Sequence, residues 1–137
     1  MRLHLVVLFL SSLVVLSGVA RGWQQSTANS AEAWGGRGVT MRMTAQGATL
    51  EFDCAHGSIT QPIKPDAKGE FKASGTYTAE RGGPVLKANP PSDIPAVYRG
   101  VIDGDNMRLE IVLNDKDQSP PPLTLTRGNA GRLVKCR

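Results

Sequence analysis

The chain is short of the residues that most chemistry needs. Among 137 residues there are two cysteines and two histidines. One histidine, His4, lies in the N-terminal leader, so His56 stands alone in the remainder. A closed zinc site takes four nitrogen or sulfur ligands, and these residues do not supply them. Asp103-x-Asp105-Asn106 begins like a calcium loop, but Met107 and Arg108 follow where a ligand and a glycine are required. There is no glycine-rich turn opening a helix and no lysine in the phosphate-loop position. Paired carboxylates suited to glycoside hydrolysis are also missing, because Glu51 and Asp53 both point outward on a strand with cations nearby. The formal charge of +4 falls to +3 once Arg2 is removed, too little to imply nucleic acid. No Asn-x-Ser/Thr acceptor occurs. Neither a metal nor another cofactor is expected. The length excludes a TIM barrel or a two-domain dinucleotide enzyme.

Arg2 is followed by Leu5–Leu16, an almost wholly apolar stretch, and then by Gly18-Val19-Ala20, a small-x-small pattern. Together they predict a signal peptide over 1–20, cleaved after Ala20. As a membrane anchor the stretch is too short, so no stable span is expected after cleavage. No cysteine sits at the cleavage point to carry a lipid. The predicted location is secreted or periplasmic. In such a compartment Cys54 and Cys136 are expected to form one disulfide. Closing that loop stabilises a fold by about 4 kcal/mol in the chain-entropy model. A thiolate–imidazole pair between Cys54 and His56 is the competing arrangement, and an available disulfide partner disfavours it.

Residues 21–37 are small and polar apart from Trp23 and Trp34, and read as a flexible arm before a single domain over 38–137. From Gly38 onward the apolar period is two, which means half-buried strands. A turn at Gln46-Gly47 pairs Met43 with Leu50, Met41 with Phe52 and Val39 with Cys54, and sets Arg42 against Glu51. A second turn at Gly104-Asp105 pairs Ile102 with Met107, Gly100 with Leu109 and Tyr98 with Ile111, and sets Arg99 against Glu110. Further strands are predicted at 58–63 after a His56-Gly57 turn, at 70–79, at 123–126 and at 133–136. In the last pair, Leu125 meets Val134 and Leu123 meets Cys136, at the expense of Arg127 facing Arg132.

About eight short strands joined by hairpins predict an all-β fold, an antiparallel up-and-down barrel, with a β-sandwich as the alternative. In a closed meander the eighth strand pairs with the first, leaving Cys54 and Cys136 two strands and about 10 Å apart. Either Cys136 leaves the ladder and crosses the barrel floor, or the strand order is not a simple closed meander.

Strand parity then locates function. The turns at Gln46, 64–69, Gly104 and Asn129 fall at one end. The opposite end receives His56, the loop Glu80–Pro95, the loop Asn114–Pro122 and both cysteines. Long loops on a rigid sheet are where binding usually resides. The candidate binding residues are His56, Arg81 and Leu86 at this end, with Tyr77 and Tyr98 lining an interior cavity beside Met41 and Phe52.

The segments 47–59, 69–77, 98–113 and 131–136 resemble in pattern a group of small, uncharacterised exported bacterial β-proteins. The resemblance covers about 100 residues. It implies an exported β domain and, since no activity is assigned to that group, it transfers no site. The expected function is a non-catalytic, monomeric binding module for a small apolar ligand or an envelope component. The rival is a protein-facing inhibitor or interaction domain that uses the arm and rim loops, and an enzyme comes third. A ligand binder requires a sizeable interior cavity; a partner binder requires a filled one with an apolar rim.

Overall fold

The computed structural model describes residues 31–84, 90–114 and 118–136. The leader over 1–20, most of the predicted arm, Val85, Leu86 and residues 115–117 lie outside the described residues. The chain forms eight antiparallel strands in sequence order, closed into a barrel. They are β1 (Glu32–Gly36), β2 (Val39–Met43), β3 (Ala48–Phe52), β4 (Ala55–Ile59), β5 (Glu70–Ala79), β6 (Ile94–Asp103), β7 (Asn106–Leu113) and β8 (Leu123–Arg127). The sandwich alternative is thereby excluded.

Alternating side chains fill the inside. Trp34, Met41, Leu50, Tyr98, Leu109 and Leu125 are each at most 1% accessible. Outward positions are charged and exposed, among them Arg42, Glu51, Lys72, Arg99 and Glu110. Apolar inside and polar outside is the reverse of a membrane-spanning barrel.

The β6–β7 hairpin has the register read from sequence, with Tyr98 opposite Ile111 and Arg99 opposite Glu110. Strand β5 also matches, burying Phe71 and Ala73 and half-burying Tyr77 on one face. The β2–β3 hairpin differs by two residues. Met43 faces Ala48, Met41 faces Leu50 and Val39 faces Phe52. The turn is as tight as expected but centred one residue earlier, at Ala45-Gln46, where Thr44 and Gly47 close it. The Thr44 N–H and hydroxyl both donate to the Gly47 carbonyl, at 2.7 and 3.3 Å. A slip of two residues keeps every side chain on its expected face, so the core composition is unaffected. Arg42 now faces Thr49 rather than Glu51.

Three expectations need correction. First, His56-Gly57 is not a turn. The reversal is at Asp53-Cys54, and β4 begins at Ala55. Gly57 faces inward, where a Cβ would lie 2.1 Å from the Tyr98 hydroxyl. This glycine permits close approach of a ring and does not mark a bend. Second, residues 32–36 belong to the barrel as β1, pairing with β2 and β8. Trp34 plugs the axis, with the Arg127 guanidinium 4.4 Å from its ring centroid. Gly35 and Gly36 disguise the strand. A Cβ on Gly35 would lie 2.4 Å from the Gly131 nitrogen, and one on Gly36 would lie 2.1 Å from the Thr124 carbonyl.

Third, residues 133–136 form no strand, and the Leu125–Val134 and Leu123–Cys136 pairs are not made. Leu125 faces Met107 on β7 instead. After β8 the chain reverses through Gly128 and Gly131, both at positive φ, and runs back outside β1 and β2 as a strap. Arg132 makes a parallel bridge with Arg37. The reversal also separates Arg127 from Arg132. Arg127 instead pairs with Glu32 and with Asp105.

Candidate functional site

Parity assigns the ends as expected. The β2–β3 turn, the 60–69 loop and the β6–β7 turn share one end. The β1–β2 and β3–β4 turns and the loops 80–93 and 114–122 share the other. The two long loops are anchored at their roots. The Thr78 hydroxyl donates to the Asp93 carboxylate. The Leu113 N–H donates to the Ser119 hydroxyl at 3.0 Å.

The strap ends at this same end. Cys136 is joined to Cys54 by a disulfide, with Cα atoms 5.2 Å apart and a sequence separation of 82. The geometric difficulty resolves through the first alternative: Cys136 has left the ladder. It reaches the β3–β4 turn over the outside of the barrel rather than across its floor. The Asp53 carboxylate accepts from the Val134 N–H at 2.7 Å, and its carbonyl accepts from Cys136 at 3.1 Å. With both cysteines joined, no thiol remains to pair with His56.

His56 takes a different partner. Its Nδ1 donates to Glu80 Oε1 at 2.8 Å. Lys135 Nζ from the strap reaches Glu51 at 2.9 Å, the Phe52 carbonyl at 3.0 Å and Glu80 at 3.3 Å. One charged cluster therefore ties β3, β4, the root of the 80–93 loop and the strap together. The His56 hydrogen bond holds the Glu80 carboxyl below its ordinary value, against a smaller opposing effect of burial, and Lys135 adds to the lowering. Lys135 is raised, chiefly by its hydrogen bond to Glu51. No spacing in the sequence announces this cluster, since Lys135 is separated from Glu51 by 84 positions and from Glu80 by 55.

The remaining predicted site residues scatter by depth. Arg81 is exposed and lines a cleft of about 440 Å³ with Pro84, Pro90, Pro91 and Ile94. Leu86 lies outside the described residues. Tyr77 is half-buried, with its ring 5.6 Å from that of Phe52, and burial raises its hydroxyl pKa. Tyr98 has no accessible surface. Its hydroxyl donates to the Thr76 carbonyl at 2.6 Å, and burial raises its pKa strongly. The structure thus gathers His56 and Arg81 at the loop end and places Tyr98 in the packed axis. Side chains packed this closely along the axis leave no room for a ligand.

Among the described residues, no group of three or more His, Cys, Asp or Glu side chains could hold a metal ion. No family of proteins matches this chain, and neither does any curated protein or solved structure.

Proposed function

We propose that this is an exported, non-catalytic binding module that presents its long-loop end to a protein of the cell envelope. One observation carries the choice of partner over interior ligand: the axis is filled by side chains such as Trp34 and Tyr98, at 1% and 0% accessibility. A filled barrel makes a rigid scaffold, and scaffolds recognise through the loops they hold. Seven of the nine prolines, Pro84, Pro90, Pro91, Pro95 and Pro120–Pro122, stand in or beside the two long loops. Proline restricts the unbound loop and so lowers the entropy lost on binding. The non-catalytic reading is supported by Cys54, whose sulfur is taken up in a disulfide, while His56 is hydrogen-bonded to Glu80. Export rests on Arg2, Leu5–Leu16 and the small residues before Arg21; the disulfide is compatible with it.

A second reading has its own support. The rim cleft sets Pro84, Pro90, Pro91 and Ile94 beside the polar Arg81, Ser92 and Gln118, and it suits a small ligand with an apolar body and a polar group, bound at the mouth.

Photo-crosslinking residues placed one at a time at Arg81, Ser92 and Gln46 test the proposal in the producing cell. A defined protein adduct from Arg81 and Ser92, with none from Gln46, is the expected result. Adducts only at Gln46 would place recognition at the wrong end. Adducts to lipid or small molecules at Arg81 would favour the second reading.

A further inference from the structure

The strap does more than close the chain. Between it and the β1–β2 turn lies a cleft of about 640 Å³, lined by Gly36, Arg37, Gly38, Asp53, Arg132 and Val134 among others. Arg37 and Arg132 face each other across the parallel bridge. Like charges set directly opposite on paired strands are unfavourable. The cation just before the strap and the one near its end each have carboxylates: Arg127 has Glu32 and Asp105, and Lys135 has Glu51 and Glu80. Neither Arg37 nor Arg132 has a side-chain partner among the described residues. Asp53 is the one acid lining the cleft, and its Oδ1 accepts from the Val134 N–H. The balance there is two cations to one anion. Gly38 lets the Asp53 carboxylate lie against the cleft wall, since a Cβ there would meet Asp53 Oδ2 at 3.1 Å.

We propose that this cleft binds a compact oxyanion, phosphate or carboxylate, between the Arg37 and Arg132 guanidinium groups. A guanidinium presents a planar fork of donors that matches either group. An anion held between the two offsets their mutual repulsion, since Asp53 forms an ion pair with neither of them. Because Arg132 rides on the strap, the site is complete only while the Cys54–Cys136 disulfide keeps the strap in position. The site is separate from the rim cleft at Arg81 and stands whether or not the long loops bind a protein.

The test is a titration of backbone amide resonances at constant ionic strength, with inorganic phosphate in one arm and citrate in the other. Saturable shifts confined to Gly38, Gly131 and Arg132 in either arm are expected, and the arm that saturates identifies the ligand group. Arg37→Gln and Arg132→Gln should each weaken binding about tenfold, the loss typical of one charged hydrogen-bonding partner. Arg42→Gln, on the exposed face of β2, should leave it unchanged. Reduction should abolish the saturable shifts while the β6–β7 resonances stay in place. The proposal fails if neither anion saturates, if all three arginine variants respond alike, or if binding survives reduction.

Discussion

The barrel has two unlike walls. Strands β5, β6 and β7 have ten, ten and eight residues, whereas β1 to β4 have five each. The long wall holds itself together through extended ladders and large buried side chains such as Tyr98 and Leu109. The short wall is supported from outside by the strap, the disulfide and the Glu51–Lys135–Glu80–His56 cluster. Short strands offer few ladder bonds per turn, so staples at their ends matter more. The candidate recognition features sit where the two walls meet, at the end carrying both long loops.

The largest expected effect should come from the long wall. Tyr98→Ala removes a fully buried ring packed over Gly57 and should cost about 3–5 kcal/mol in urea unfolding. A loss below 1 kcal/mol would mean the axis is not packed as described. On the short wall, Gly35→Ala puts a Cβ against the strap backbone at 2.4 Å and should cost about 1–3 kcal/mol. That loss should shrink in a chain ended after Arg127, where no strap is left to collide.

Acid should act on the short wall first. Glu80 has a lowered pKa, so its contribution is complete above the ordinary value of 4.5. It is lost as pH falls from there through the lowered folded value. Glu80→Gln should therefore cost about 0.5 kcal/mol at neutral pH, the range of an exposed ion pair. In urea titrations the wild type and the variant should converge once Glu80 is protonated. A gap that persists in acid would assign the effect to packing. The smallest change belongs to the opposite end, where Gln46→Trp should alter neither stability nor crosslinking from Arg81.

The same contrast explains what the sequence makes legible. Along β6 and β7 the period of two is long enough to set register, and Asp103–Asn106 offers one clear turn, so pairing follows residue by residue; along β5 it sets the buried face. In the short wall five-residue strands fix faces but not register. The Thr44 hydroxyl decided between turns that the apolar pattern leaves equivalent. Glycine was ambiguous in one direction: Gly57 reads as a bend and is a seat for Tyr98, while Gly35 and Gly36 read as a break and are a strand crowded by neighbouring backbone. The disulfide follows from cysteine count, but its path outside the barrel depends on contacts 81 to 84 positions apart, such as Val134 with Asp53 and Lys135 with Glu51. His56 and Arg81 are placed by parity alone, and the partner of His56 by none of these signals.

The long wall is self-sufficient, and the strap with its disulfide staple secures the short wall from outside. Amide hydrogen exchange, compared between the oxidised and the reduced protein, tests this most directly. On reduction, the amides of Gly38, Arg132, Val134 and Cys136, whose acceptors lie on the strap or beneath it, should lose protection. Amides in the middle of β5, β6 and β7 should keep theirs, and exchange there should continue to report global unfolding. Uniform loss of protection across all eight strands would contradict the account, because the disulfide would then be holding the barrel itself.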